Sequence, residues 1–320
     1  MIIMGEKLSA YLDLTVAMAI AGSAVVVSKM MVATVPVFLA TELGIAIGLV
    51  LLLLVTFVIK KEHHRLDKKT VAVLLGQALA GIVLYRVFIF WGLQLTSAAN
   101  SGLISSSGPA IVVILAFLIL KEKISKNNAI GLAFVIVGLL CINLYTYFAE
   151  GTLNSSVLGN FLILIAVTGE GLFSVLSKIK CVPMSPVYRT TLVAGLAFIC
   201  LLPLAIYDAW GYPFAEMSLQ TILCIGYYGI FVSFISYVLW FRGIAKVAAS
   251  NAAIFISVVP VSSIILAAIL LNEKIQLSHL LGMSLIICGI LIATQKPPAH
   301  PDEMVGTELK TITADTIESD

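Results

Sequence analysis

Apolar positions along this chain gather into long blocks cut by short polar joins, a pattern that predicts ten membrane-length helices. The blocks cover residues 11–33, 36–59, 71–93, 97–120, 128–147, 157–177, 186–207, 219–241, 247–270 and 278–295. Most approach the roughly 20 residues that a helix needs to cross a hydrocarbon core of about 30 Å. In lipid the backbone must satisfy its own hydrogen-bonding groups, so continuous apolar runs of this length read as helices. Asn, Ser and Pro punctuate the joins, as at Thr96-Ser97 and from Pro183 to Pro186. The first block follows Met1–Lys7, shows no clear small-residue cleavage site and continues past Lys29 to Ala33. It is expected to be a first span and not a removed signal peptide.

One stretch occurs twice. Pro109–Ile124 reads PAIVVILAFLILKEKI and Pro260–Ile275 reads PVSSIILAAILLNEKI, an offset of 151 residues with eight of sixteen positions identical. Gly92, Asn100, Gly131 and Gly138 recur at the same offset as Gly243, Asn251, Gly282 and Gly289. Self-similarity in a fixed register marks a duplicated unit. The expected division is a first five-helix repeat over residues 1–148 and a second over 149–296. Five is odd, so the second copy must lie upside down relative to the first. Inverted repeats recur among secondary transporters, with the substrate site between them near the bilayer midplane. The early helices match at slightly shorter offsets, 149 for Ser28-Lys29 and Ser177-Lys178 and 150 for Pro36 and Pro186, which implies small insertions.

Composition changes the picture only by excluding alternatives. The chain is 60% hydrophobic and 11% charged, with mean hydropathy +1.09, against about a quarter charged in soluble domains. The fold class expected is therefore an all-α integral membrane protein of ten transmembrane helices. Its net charge of +2 gives no basis for a nucleic-acid partner. Five scattered cysteines show no CxxC and no Cys/His cluster, so no disulfide, metal or redox site is expected, and no cofactor. Basic residues crowd alternate joins: Lys60, Lys61, Arg65, Lys68 and Lys69; Lys121, Lys123 and Lys126; Lys178 and Lys180; Arg242 and Lys246; Lys296. The other joins hold Glu150, Asp208, Glu216 and Glu273, with Lys274 their one base. Under the positive-inside rule both termini are cytoplasmic, in a multi-pass protein of the inner or plasma membrane. Residues 297–320, with six acids and one lysine, read as a disordered acidic cytoplasmic tail.

Gly92-Leu-Gln-Leu-Thr-Ser-Ala-Ala-Asn100, Gly108-Pro109, Leu120-Lys-Glu122 and Gly131 resemble the drug/metabolite transporter superfamily, EamA-type. The second half repeats the pattern with Tyr237-Val-Leu-Trp-Phe-Arg-Gly243, Ser250-Asn251, Pro260, Leu271-Asn-Glu273 and Gly282. The resemblance covers about 290 residues, and its force lies in the duplicated spacing more than in any one motif. It implies ten helices in two inverted five-helix halves and efflux of small organic molecules, without specifying which. Two departures stand out. The glycine that precedes the motif acid in many members is Lys121 here and Asn272 in the second half, and the second span carries Glu42 where members often carry arginine.

Ionisable groups within a membrane are costly and are functional candidates by default. Arg86, Glu170 (flanked by Gly169 and Gly171) and Glu42 meet that description. An arginine fork suits a substrate carboxylate or phosphate. Glu170 suits an amine or a coupled proton, and Glu42 is a second candidate for proton coupling. The alternative is that Arg86 and Glu170 neutralise one another between helices. Gln77, Gly81, Tyr85 and Phe88 fall on one face of a regular helix, as a cavity wall or a packing surface. The eighth span is polar and aromatic, with Tyr227, Tyr228, Ser233, Ser236, Tyr237 and Trp240. Gln77, Tyr85, Tyr228, Ser233 and Tyr237 join Arg86 and Glu170 as substrate-binding candidates.

Trp240, Trp210 and Tyr212 are expected in the interfacial belt. Lys29 and Arg189 are expected to snorkel to the interface, and Asn100 and Asn251 to serve structure. Glu122 and Glu273 are expected to anchor helix ends in ion pairs on opposite sides of the membrane. His63 and His64 read as solvated loop residues, and Ser105–Ser107 as helix packing.

No Walker loop is present, so ATP coupling within the chain is not expected. The function expected is secondary active transport, as export of a small-molecule substrate by alternating access. An amino-acid or amine-like substrate is favoured because Arg86 and Glu170 offer one charge of each sign. The alternative is a non-transporting membrane receptor or assembly subunit. A membrane enzyme would need convergent nucleophiles or metal ligands at one depth, and none is evident.

Overall fold

A computed structural model describes residues 2–32, 34–96, 101, 104–150, 157–271 and 275–294. Asn100, Asn272, Glu273, Lys274, Lys296, the 297–320 tail and the Lys29 and Glu150 side chains lie outside the described set. Among the described residues eight helices are long and apolar enough to cross a membrane, and two further apolar helices, which begin at Gly108 and Lys126, accompany them. They are α1 (Ile2–Val32), α2 (Val37–Ile59), α3 (Lys68–Leu95), α4 (Gly108–Leu120), α5 (Lys126–Glu150), α6 (Val157–Leu176), α7 (Pro186–Ala209), α8 (Leu219–Ile244), α9 (Ala249–Phe255 continuing as Val258–Leu271) and α10 (Leu277–Thr294). No strand occurs among the described residues.

Local chemistry sets where helices begin. Asp67 accepts from the Thr70 amide at 2.9 Å, Ser185 from Tyr188 at 3.1 Å and Ser218 from Thr221 at 3.1 Å. Each side chain thereby satisfies one amide of a first turn that has no intrahelical partner. Pro186 occupies the first position of α7, where a missing N–H costs nothing. In both halves a helix breaks just before the repeated proline, at Ser106-Ser107 ahead of Pro109 and at Ile256-Ser257 ahead of Pro260. Proline removes a ladder hydrogen bond and crowds the carbonyl four residues back, which accounts for both breaks.

The repeats interlock along a two-fold axis. Helices α5 and α10 run antiparallel in close contact: a Cβ added at Gly131 would lie 2.6 Å from the Gly289 carbonyl oxygen, and one at Gly138 would lie 2.7 Å from that of Gly282. These are the glycines related by the repeat offset, so each packs on the mate of the other. Only residues without a side chain permit this approach. Helices α2 and α7 make the second on-axis pair, with Thr56 and Thr191 hydroxyls 2.7 Å apart. Its ends are capped reciprocally. Asp208, at the end of α7, accepts from the Phe38 and Leu39 amides of α2 at 2.9 and 3.2 Å. Glu62, beyond α2, accepts from the Ser185 amide and hydroxyl at 2.8 and 2.5 Å.

Gly138→Ala is expected to push α5 from α10 and lower Tm, with a loss of about 1–3 kcal/mol; thermal unfolding in detergent checks this. Burial pushes the Glu62 carboxyl up, but bonds from Ser185 and His64 outweigh it and hold the group below the usual glutamate range. Such a group adds stability above its ordinary value of about 4.3, and that stability is lost as pH falls through the lower folded value. Glu62→Gln should therefore lower Tm at neutral pH and make the acid limb of a Tm–pH curve shallower. An unaltered acid limb would contradict the cap.

Candidate functional site

A cavity of about 370 Å³ lies between the halves, within the range of small-ligand pockets. Seven helices line it, with α4, α5 and α10 outside. Helix α1 contributes Met18, Ala21, Ala24, Val25 and Ser28, and α2 contributes Thr41 and Ile45. Gly81, Ile82, Tyr85 and Arg86 come from α3, and Glu170, Phe173 and Ser174 from α6. Thr190, Val193, Ala194 and Ala197 come from α7, and Tyr228, Val232, Ser233, Ser236, Tyr237 and Trp240 from α8, with Ile256 and Val259 of α9 closing the wall.

The structure brings together six of the seven substrate-binding candidates: Arg86, Glu170, Tyr85, Tyr228, Ser233 and Tyr237. The Arg86 guanidinium donates to the Tyr228 hydroxyl, and its Cζ lies 5.9 Å from the centre of that ring. A phenol from one half thus orients the cation of the other. Arg86 and Glu170 make no ion pair within contact distance, and the Glu170 carboxylate has no hydrogen-bond partner among the described residues. Both side chains line the same cavity. Phe173 packs edge-on against Tyr237 at 5.9 Å, an aromatic contact between α6 and α8 within the second half.

Gln77 is the candidate that the cavity does not take up. It is fully buried, donates from Nε2 to the Ser177 hydroxyl at 2.7 Å and accepts from Arg189 at 3.2 Å. A π-helical segment, Ala78–Leu84, explains the separation. Its wider turns rotate Tyr85 away from the face that a 3.6-residue period assigns to it with Gln77. The repeat-related helix α8 carries a π segment at the matching depth, Tyr228–Ser236. Glu42 follows the cavity-lining Thr41 on α2, 4% exposed, with both carboxylate oxygens unpartnered.

Several other expectations are corrected. Trp240 is not a belt residue; it is 4% exposed and forms part of the cavity wall. Its place in the apolar core with Phe241 and Ile244 draws it inward. Trp210, by contrast, is 88% exposed, and Tyr212 donates to the Thr34 carbonyl at 3.0 Å. Arg189 does not snorkel, because Gln77, the Leu176 carbonyl and the Phe241 ring at 5.2 Å hold it inside. Glu122 makes no ion pair within contact distance; it accepts from the Ala249 amide at 3.0 Å and from the Ser250 amide and hydroxyl, each at 3.2 Å, at the start of α9. His64 is not simply solvated: its Nε2 meets Glu62 at 2.9 Å. Asn251 accepts from the Asn128 amide and ties α9 to α5.

Sequence reasoning missed Thr41, Phe173, Ser174 and Thr190 as lining residues. One signal was present. Glu170, Ser174 and Ser177 recur at helical spacing, a polar stripe along an otherwise apolar α6.

Fold and site together define a polytopic α-helical membrane protein, two inverted five-helix halves around a buried cavity lined by an arginine and a glutamate. The chain matches the EamA-like transporter family over residues 8–144 and 157–295, and it belongs to that family. It is 35% identical over 311 residues to the uncharacterized transporter YetK of Bacillus subtilis (strain 168), covering 97% of this chain and 94% of that one. An uncharacterized transporter of Archaeoglobus fulgidus is 25% identical over 239 residues, 72% of this chain and 80% of the relative. A solved crystal structure superposes with a TM-score of 0.73 at 19% identity, over 89% of this chain and 98% of that one, which supports the fold alone.

Proposed function

We propose that this transporter exports a small charged organic metabolite by secondary active transport, with an amino-acid or amine-like substrate. The observation that carries this reading is that Arg86 and Glu170, of opposite sign and unpaired with each other, line one cavity with Tyr85, Tyr228 and Tyr237. Arg86, oriented by Tyr228, would take the carboxylate. Glu170 would take the amine, and the aromatic walls would take the remaining surface. Ser233 adds a hydroxyl to the same wall. Alternating access would exchange the conformations of the two halves, residues 1–148 and 149–296, about the cavity. Glu170 and Glu42 are the proton-coupling groups in this scheme, Glu170 because it shares the substrate cavity and Glu42 because its carboxyl is buried without a partner next to the cavity-lining Thr41 in the chain. The basic joins support a reading with both termini in the cytoplasm and the protein in the inner or plasma membrane.

Counterflow in proteoliposomes with labelled amino acids, amines and carboxylates tests the proposal. Accumulation of zwitterions over singly charged analogues supports it, and no accumulation by folded protein counts against it. Arg86→Gln is expected to weaken transport by at least about tenfold, the scale of one lost charge-assisted hydrogen bond of roughly 1.5–3 kcal/mol. Glu170→Gln should abolish the pH dependence of transport. A variant that transports with an unchanged pH profile would remove Glu170 from the coupling role.

A further inference from the structure

The three bonds that Glu122 makes lie away from the two-fold axis, at the end of the molecule where the basic joins gather. Helices α3, α4 and α6 pack as one bundle, and α1, α8 and α9 as another. Glu122 ends the first bundle and accepts from the Ala249 and Ser250 amides that start α9 in the second. Beside it, Lys178 after α6 donates from Nζ to the Ile244 carbonyl of α8 at 3.1 Å. Deeper on the same side, Phe173 packs 5.7 Å from the Phe241 ring. Toward the opposite end one described bond crosses between the bundles, from Arg86 to Tyr228 at the cavity wall; nearer that end Ser23 meets Tyr227 at 2.8 Å and Thr96 meets Asn160 at 2.6 Å, each within a bundle. That end also holds a second cavity of about 390 Å³, lined in part by Phe90. The Phe38–Phe90 pair, 5.4 Å between centres, stands one turn beyond Thr41 and Arg86 toward that end.

We propose that the Glu122 carboxylate is a latch that closes the basic end of the central cavity, and that its release opens that end. The inference rests on the alternating-access reading. A carboxylate suits the task because one group satisfies two first-turn amides and a hydroxyl at once, across a seam that has no covalent link. Lys121, at φ +54°, turns the chain between α4 and the acid. This is the left-handed region, which costs a residue with a side chain, and its strain in a lysine marks a turn held by its surroundings. When the bundles part at this end, water replaces the carboxylate at the α9 amides.

The test measures access without a substrate, so it separates failure of the latch from failure of the substrate assignment. The five native cysteines are replaced, Ser174→Cys is placed in the cavity wall, and a membrane-impermeant thiol reagent is applied to each side of oriented membranes. With Glu122 intact, reaction from the basic side should be slow. Glu122→Ala should raise the basic-side rate at least about tenfold, the scale of a charge-assisted bond, with slower reaction from the other side. Should that variant not reach the membrane, Glu122→Gln, which keeps the volume and one acceptor, should raise it several-fold. An unchanged basic-side rate in whichever folded variant is measured overturns the latch. An inverted topology would exchange the two sides and leave the effect of Glu122 intact.

Discussion

The constraint on which the structure depends is that polar backbone groups have no solvent to turn to inside a membrane. A helix meets that requirement along its length and fails at its ends, where the first four amides lack partners. This chain supplies several of the missing partners from the opposite repeat. Asp208 serves the start of α2, Glu62 the start of α7 and Glu122 the start of α9. The acids at the ends of helices are thus neither catalytic nor simple interfacial charges. They are the joints between the halves, and each depends on the antiparallel relation that an odd number of spans per repeat imposes.

Much of this was legible in the sequence, for the same physical reason. Lipid demands long uninterrupted apolar runs, so ten spans could be placed before any coordinates, and α2 and α6 keep their expected positions to within a residue. The repeated glycines were visible as marks of duplication, and their contact across the axis follows once one copy is inverted. Side-chain direction was less legible. A helix that is apolar all round carries little periodic signal about which face meets protein and which meets lipid. Trp240 and Arg189 were therefore assigned by depth alone, when the deciding factor was rotation. Gln77 was assigned by periodicity, and the π segment after it broke the period. Glu122 was read as an ion-pairing group because its partners are backbone amides, which no side-chain pattern displays.

The cavity shows how a symmetric scaffold carries an asymmetric site. Arg86 and Tyr237 stand at the same register in the two repeats and both line the wall, one a fixed cation and the other a phenol. Tyr228, which orients Arg86, is the mate of Gln77, which left the cavity to hold Arg189. A charge at mid-membrane costs about 2.5–3.5 kcal/mol even on lenient insertion scales. Arg86 offsets part of that through Tyr228, while Glu170 has no comparable partner. Structural roles account for Arg189, which is bonded on several sides, more readily than for Glu170. The contrast is the basis for proposing Glu170, and not Arg189, as a ligand-facing group.

Symmetry also sorts contacts by what they can survive. The α5–α10 glycine seam and the α2–α7 helix pair taken as a whole lie on the two-fold axis, so exchanging the conformations of the two repeats maps each seam onto itself. Such contacts can persist through a rocking motion and serve as its pivot. A contact off the axis is carried by that exchange to a different place, formed by different residues. The bonds from Glu122 to α9 are of this second kind, and so is the packing of Phe173 against Phe241. Two arrangements of equal backbone geometry can then differ in free energy only through what the off-axis residues and the ligand contribute. The departures from exact repetition that surround the cavity are consequently where a ligand can bias the balance, since anything common to both halves contributes equally to either arrangement.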